Sequence, residues 1–363
     1  MGPAAAFELA RRLDSAGPAE RRQLLGLLAD LPVLPEGLSL RRVTAQDADA
    51  ATALALDQPG ADAFVELNAA FAGGGLLIEV APGVRFDAPV EIRHCSHAPS
   101  AIGSHARLRV RLGSGAQLKV VERFAAGGGM SNGVTQVELA AGAALDWLRL
   151  SEAAPGARSL AWFDAALADA ARLALHSHLG SCELDRFAAR VRLEGRGARA
   201  DLYALSVVDG RARADQMLAI EHLAPATVSR QTYRGIASGR AAAAATCRAL
   251  IAATAPGADA EQSLGSMPLS PHADCAARPE LEIHCDDVAC RHGATVGQLD
   301  EQALFYLRSR GLDAAEARAL LVFAFADAAL AALPRDGFRA ALEARLAAKL
   351  PHEPPPTAAV APR

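Results

Sequence analysis

Cys290 and His292 are the residues of this chain whose types and spacing best suit metal chemistry. They stand one residue apart in a strand-like run that soon gives way to a helix. On a strand, residues i and i+2 share a face with Cα atoms roughly 6.7 Å apart. A thiolate and an imidazole leaning together from such positions can reach one ion, and iron and iron–sulfur clusters accept both ligand types. A free thiol titrates near about 8.5, so Cys290 needs a metal or a neighbouring cation to ionise at neutral pH. Arg291 and Arg310 are the candidate cations, and Glu282, Asp286 and Asp287 are the other flanking polar groups. Two ligands do not close a four-coordinate site. Nothing else at metal spacing stands beside the pair, so a partner would have to complete it. Taken alone, a Cys-x-His is more often a packed thiol beside a surface histidine, and Asp286-Asp287 a turn bonding its own backbone.

Three further groupings are weaker. His94-Cys95-Ser96-His97 reads as a strand end, His176 and His178 share a strand face near Cys182, and of His284 and Cys285 at most one faces the way Cys290 does. Neither the Walker pattern nor G-x-G-x-x-G occurs, so ATP binding through either device is not expected. A serine nucleophile elbow and H-E-x-x-H are also missing.

The elements that must position the pair are short strands. From Leu76 onward, alternating apolar runs are separated by glycine-centred turns in a recurring pattern. Ile78-Glu-Val-Ala-Pro-Gly83, Val110-Arg-Leu-Gly-Ser-Gly115 and Val137-Glu-Leu-Ala-Ala-Gly142 share it, and Val191-Arg-Leu193 with Gly197 repeats it with one extra residue. Such units cannot bury their own faces and predict stacked coils, although the irregular period leaves a sandwich open on pattern alone. Arg240 and the five alanines after it are poor strand formers, taken as strand because the pattern continues around them. Residues 1 to about 56 read as helical, with Leu24, Leu25, Leu27 and Leu28 on one period, and a short helix is expected from Asp62 to Phe71. After Gly297, a helix runs from Asp300 to Arg310 and stops at Gly311. Asp313-Ala-Ala-Glu316 fits a capping box opening a second helix to about Leu333. Its Leu320, Leu321, Phe323, Phe325 and Leu330 are apolar around most of the circumference, which requires burial within the chain or under a partner. A third segment repeats Phe338, Leu342, Leu346 and Leu350. The resulting division is a helical 1–75, a strand-built 76–297, a helical 298–350 and a disordered tail 351–363.

The net charge of −4 and the lack of a basic stripe disfavour nucleic acid as a partner. The N-terminus lacks the pattern of a signal peptide, and Leu312 to Leu333 is interrupted by Asp313, Glu316, Arg318 and Asp327, so no membrane span is expected. Six cysteines in such a chain read as thiols. The expected location is the cytoplasm.

The stretch 278–311 resembles the SufD branch of the SufB/SufD family of iron–sulfur cluster assembly scaffolds. Members carry K-P-x-L-E-I, then D-D-V, then C-S-H-G-A-T-V-G-Q-L-D-E, then L-F-Y-L-x-x-R-G. Here these stand as Arg278 to Ile283, Asp286 to Val288, Cys290 to Glu301 and Leu304 to Gly311. Tyr233-Arg234-Gly235 is similar to the family's R-G turn, and Asp259-Ala260-Glu261-Gln262 to its D-A-x-Q. Leu264 departs from a common Asn, alanines precede Cys247, and the N-terminal segment is short without the Trp-containing motif. The resemblance implies a mainly β fold: a right-handed parallel β-helix flanked by N-terminal and C-terminal helices. It implies pairing with a SufB-type paralogue and docking of a SufC-type ABC ATPase on the C-terminal helices, with Leu320, Leu321, Phe323 and Phe325 as the docking residues. It places Cys290 and His292 near the paired interface, as a half-site for entering iron or a nascent cluster shared with SufB. The expected role is a non-catalytic scaffold. The alternatives are a purely structural solenoid, a SufB-like self-pairing scaffold (a homodimer in isolation), and a β-helix enzyme acting on polysaccharide, which would need clustered carboxylates on successive coils.

Overall fold

Each alternating segment buries one face against the opposite sheet, and the same kind of segment one coil away pairs with its edge. In the computed structural model, residues 36–44, 62–72, 74–96, 104–126, 128–180, 182–331, 333, 339 and 343 are described. Strands alternate between two sheets. The first contains β1 (Leu38–Thr44), β2 (Gly74–Val80), β4 (Ser104–Leu112), β6 (Met130–Leu139), β8 (Arg158–Leu167), β10 (Leu184–Leu193), β12 (Arg213–His222), β14 (Ala242–Ile251) and β16 (Asp274–Ile283). The second contains β3 (Val90–Ser96), β5 (Gln117–Ala126), β7 (Ala144–Ser151), β9 (Arg172–Leu179), β11 (Arg199–Val208), β13 (Val228–Ala237), β15 (Ala258–Pro268) and β17 (Val288–Val296). Apart from β1, which lies antiparallel on β2, all pairing is parallel and in register between successive coils. The chain is therefore a parallel β-solenoid, not a sandwich.

Left-handed turns, most of them at glycine, form one corner of each coil from Gly83 to Gly257. Gly83, Gly115, Gly142, Gly197 and Gly257 all take a left-handed φ near +70°. Each donates its N–H to a carbonyl of the next coil, as Gly115 does to Ala141 at 2.9 Å and Gly142 to Asp169 at 2.8 Å. Ala170 and Ala226 occupy the same column with φ of 54° and 57°. Small residues stack just inside it, Ala116, Ala143, Ala171 and Ala198 all being fully buried, which explains the alanine-rich composition. The extra residue before Gly197 is absorbed by sharing, since Glu194 and Gly195 both donate to the carbonyl of Leu167. That pulls Gly195 onto the backbone of Ala168 and Asp169, where a Cβ would collide with main-chain atoms. Gly195→Ala is expected to cost about 2 kcal/mol through overpacking against atoms that cannot yield. Urea unfolding checks this, with a lower midpoint expected at unchanged slope.

The helix α1 (Ala63–Phe71) begins where expected, with Asp62 as its N-cap accepting from Phe64 N–H at 2.8 Å. It is pinned to the first sheet by Asn68, whose Nδ2 donates to the carbonyls of Asn132 at 2.9 Å and Ala106 at 3.2 Å. The segment expected to be helical to about residue 56 contains a strand, β1. Leu38 and Val43 are buried against the first coil there, and capping that open sheet edge outweighs local propensity. The leucine period at 24–28, the third C-terminal segment apart from Arg339 and Glu343, and the tail lie outside the described residues.

At the other end, α2 (Glu301–Ser309) stops at Arg310 and Gly311, and α3 (Ala314–Leu330) opens with the expected capping box between Asp313 and Glu316. Val322, Ala326, Ala329 and Leu330 bury α3 against Leu150, Leu205, Val207 and Ile236 on the outer face of the second sheet. Phe323 and Phe325 join that contact, Phe325 lying flush on Gly265 and beneath the Arg234 guanidinium, 5.6 Å from its ring centroid. Both are half-buried in that contact. The helix is apolar all round, and its own sheet takes the aromatic side. Leu321 is half-buried and Leu320 is 48% exposed, alongside Phe305 at 74% and Tyr306 at 56% on α2. Among the described residues, no helix is long and apolar enough to cross a membrane.

Candidate functional site

Cys290 and His292 lie on β17, the last strand of the second sheet, and among the described residues only β15 lies beside it. Parallel in-register pairing keeps paired residues on one face, so the inward set Ala258, Ala260, Gln262 and Leu264 of β15 fixes the inward set of β17. Cys290 is in register with Ala260 and His292 with Gln262. Both therefore face the solenoid interior at its uncovered end, as the spacing predicts. Cys290 is half-buried, packing with Val288 and Cys285 against Ala258 and Ala260, while His292 is exposed. Cys285 is thus the member of its pair that joins Cys290. His284 instead bonds Glu282 at 2.9 Å.

The free edge of β17 has a readable pattern. Gly297 N–H donates back to the carbonyl of Ser266. In a parallel ladder alternate residues serve opposite neighbours, so Cys290, His292, Ala294 and Val296 turn both backbone groups toward the open side. In β16, Asp274 and the following His284 donate back to the previous coil. By the same alternation Pro279, which has no N–H to offer, falls at a free-edge position, where proline disturbs no internal bond.

The flanking charges do not converge on the pair. Arg291 has the opposite strand parity and donates outward to Glu261 at 2.7 Å. Arg310 caps α2 with its guanidinium 5.2 Å from the Tyr306 ring. The expected cationic assistance to the thiol is not what surrounds it: burial, with a smaller push from Asp259, raises the Cys290 pKa, against a backbone hydrogen bond from Ala260. Glu282 is held below the usual carboxylate range by hydrogen bonds from His284 and Arg248. Asp286 and Asp287 form the final corner through their backbones, the Asp287 carbonyl accepting from Gly257 N–H at 2.7 Å and that of Asp286 from Val288 N–H at 3.2 Å. Among the described residues no three His, Cys, Asp or Glu side chains gather where they could hold a metal.

The other sequence candidates are built into the fold. His94 is buried with Nε2 2.6 Å from Glu122 Oε1, and it stacks on Phe124 at 3.8 Å. The side chains of Cys95 and Ser96, and all of His97, lie outside the described residues. His176 and His178 are buried on the outer face, His176 stacked on Tyr203 at 4.8 Å. Cys182 packs separately against Ala157, and burial pushes its pKa up to about 12.

Sequence reasoning missed a polar ladder under the pair. Gln231, Gln262 and His292 occupy one inward column on three successive coils. Gln262 Nε2 donates to Gln231 Oε1 at 2.7 Å and across the bore to the carbonyl of Cys247 at 3.0 Å. The signal was available: Gln262 ends the D-A-x-Q run two residues after Ala260, and strand parity turns it inward.

Comparison with known proteins agrees with this architecture. The family model for the SufBD core domain of the SUF FeS cluster assembly system matches residues 94–325. The chain is 28% identical over 297 residues to the Escherichia coli iron–sulfur cluster assembly protein SufD, covering 80% of this chain and 70% of that protein. It is 33% identical over 154 residues to a Synechocystis iron–sulfur cluster assembly SufBD family protein, and 32% over 148 residues to one from Mycobacterium tuberculosis. These two alignments cover 42% and 39% of this chain, and 34% and 37% of the relatives.

Proposed function

The chain belongs to the SufBD core family of the SUF iron–sulfur cluster assembly system, and from that premise we propose that it is a SufD-like scaffold whose last coil pairs with a SufB-type paralogue. The observation that carries this reading is the end of the solenoid, where Cys290 and His292 face inward on a strand whose outer edge is unpaired among the described residues. Two ligands of complementary type on an open edge form half of a site, which a second chain bringing its own donors would complete. Iron or a nascent cluster is the cargo assembled there. Cys290 must lose its proton to bind, and the metal itself supplies the drive that the local charges do not. A SufC-type ATPase docks on the C-terminal helices, where Phe305, Tyr306 and Leu320 are the exposed apolar residues.

Co-expression with SufB-type and SufC-type partners tests both halves. Wild type, His292→Ala and Cys290→Ser are expected to yield the same complex, while iron and acid-labile sulfide per complex fall about tenfold in either variant. Failure of the wild-type chain to co-purify would sink the scaffold reading. Unchanged iron in both variants would leave the chain architectural and remove the half-site.

A further inference from the structure

The buried ladder beneath His292 has an unfinished end. Gln262 is 2% exposed, and its amide nitrogen is engaged by Gln231 and by backbone carbonyls of the opposite sheet. Its Oε1, in contrast, is buried without a hydrogen-bond partner. An orphaned buried acceptor keeps the full desolvation penalty, so such atoms are rare unless something answers them. The next residue in the column is His292, whose ring can donate an N–H. Neighbouring strands are about 4.8 Å apart, and in-register side chains on one face lie one above the other, which sets His292 directly over Gln262 in the column.

We propose that Gln262 positions the His292 imidazole: its Oε1 accepts one ring N–H, so the other nitrogen's lone pair faces the open end. This rests on the reading of His292 as an iron-handling residue, and it adds what that reading lacks. A histidine binds metal through one neutral nitrogen, and the hydrogen bond made by the other selects the tautomer and aims the ring. An exposed histidine on an edge strand would otherwise divide among rotamers and tautomers. The neutral amide suits this task because it accepts without adding a charge inside the bore. The Gln231–Gln262 contact, anchored on main-chain carbonyls of Leu218 and Cys247, holds the acceptor in place.

The test is made on the iron-free full-length chain, so that it does not depend on metal binding. Long-range nitrogen–proton NMR correlations of histidine-labelled protein, at a pH where the rings are neutral, report the tautomer at each ring. In wild type, His292 is expected to occupy one tautomer, unlike the exposed His272. Gln262→Met should return His292 to the mixture seen at His272, and Gln262→Glu, which keeps an acceptor, should restore the single tautomer. A mixed tautomer at His292 in wild type would overturn the proposal whatever the variants do, including a variant that fails to fold. So would a single tautomer that survives Gln262→Met. In the co-expressed complex, Gln262→Met should lower iron content about tenfold, the usual reach of such supporting hydrogen bonds. Because the tautomer is read without iron, unchanged iron in His292→Ala would reject the cargo reading while the ring's hydrogen bond stood or fell separately.

Discussion

Ala294→Pro is expected to weaken pairing with a SufB-type paralogue about a hundredfold while leaving the solenoid folded. Ala294 is one of the β17 residues whose N–H points away from β15, so proline there removes no internal hydrogen bond. It does remove a donor from the pairing edge, and its ring stands where an incoming strand would approach. One lost bond of about 1 kcal/mol with the steric conflict gives roughly 3 kcal/mol, or a hundredfold in affinity. The chain already shows that such a residue is tolerated, since Pro279 sits at a free-edge position of β16. That proline also blunts the middle of the first sheet's edge, which leaves β17 as the edge open to a partner. Thr295→Pro is the contrasting variant. Its N–H serves β15, so it should lower thermal stability as well. Biolayer interferometry with the paralogue, alongside melting curves for both variants, separates the cases. Undiminished binding by Ala294→Pro would rule out β17 as the pairing edge.

The features legible in the sequence are those fixed by backbone chemistry. The glycines at 83, 115, 142 and 197 mark corners because a left-handed φ is nearly free only for glycine. Gly311 and the Asp313–Glu316 box likewise set helix ends from local rules. Ala170 and Ala226 hide the same corner, because the hydrogen bond to the next coil enforces a conformation that costs alanine about 1 kcal/mol. Register supplies what pattern lacks at β14, where an alanine run forms a strand between β12 and β16. The Cys290–His292 pair was visible by type and parity. Its isolation from Arg291 and Arg310, and its place above Gln262, depend on which residues meet across coils, and no local spacing encodes that. The turning of Phe323 and Phe325 toward the sheet has the same cause: a helix apolar on every side does not declare which side is covered.

Acidification from pH 6.5 to pH 4 should remove several kcal/mol of stability through His176 and His222. Burial lowers both to about 4 from an ordinary 6.5. The unfolded chain therefore takes up protons across this window while the folded chain resists, so stability is complete above pH 6.5 and falls as pH drops toward 4. A displacement of 2.5 pH units corresponds to about 3 kcal/mol for each residue. The geometry explains the resistance. Thr227 spends its hydroxyl proton on the carbonyl of Ala224 at 3.0 Å, so its oxygen accepts from His222 Nδ1 at 2.8 Å. Nε2, 2.8 Å from Ser229 Oγ, is then the acceptor, and protonating it opposes the hydroxyl already aimed at it. His176 is stacked on Tyr203 with a buried Nδ1 that has no partner to stabilise a charge. Urea unfolding at intervals between pH 7 and 4.5 measures the slope. His176→Phe keeps the stack without the titration, and His222→Gln keeps a donor and an acceptor, so each should flatten the curve by its own share. A slope unchanged in both variants would assign the acid sensitivity to other groups.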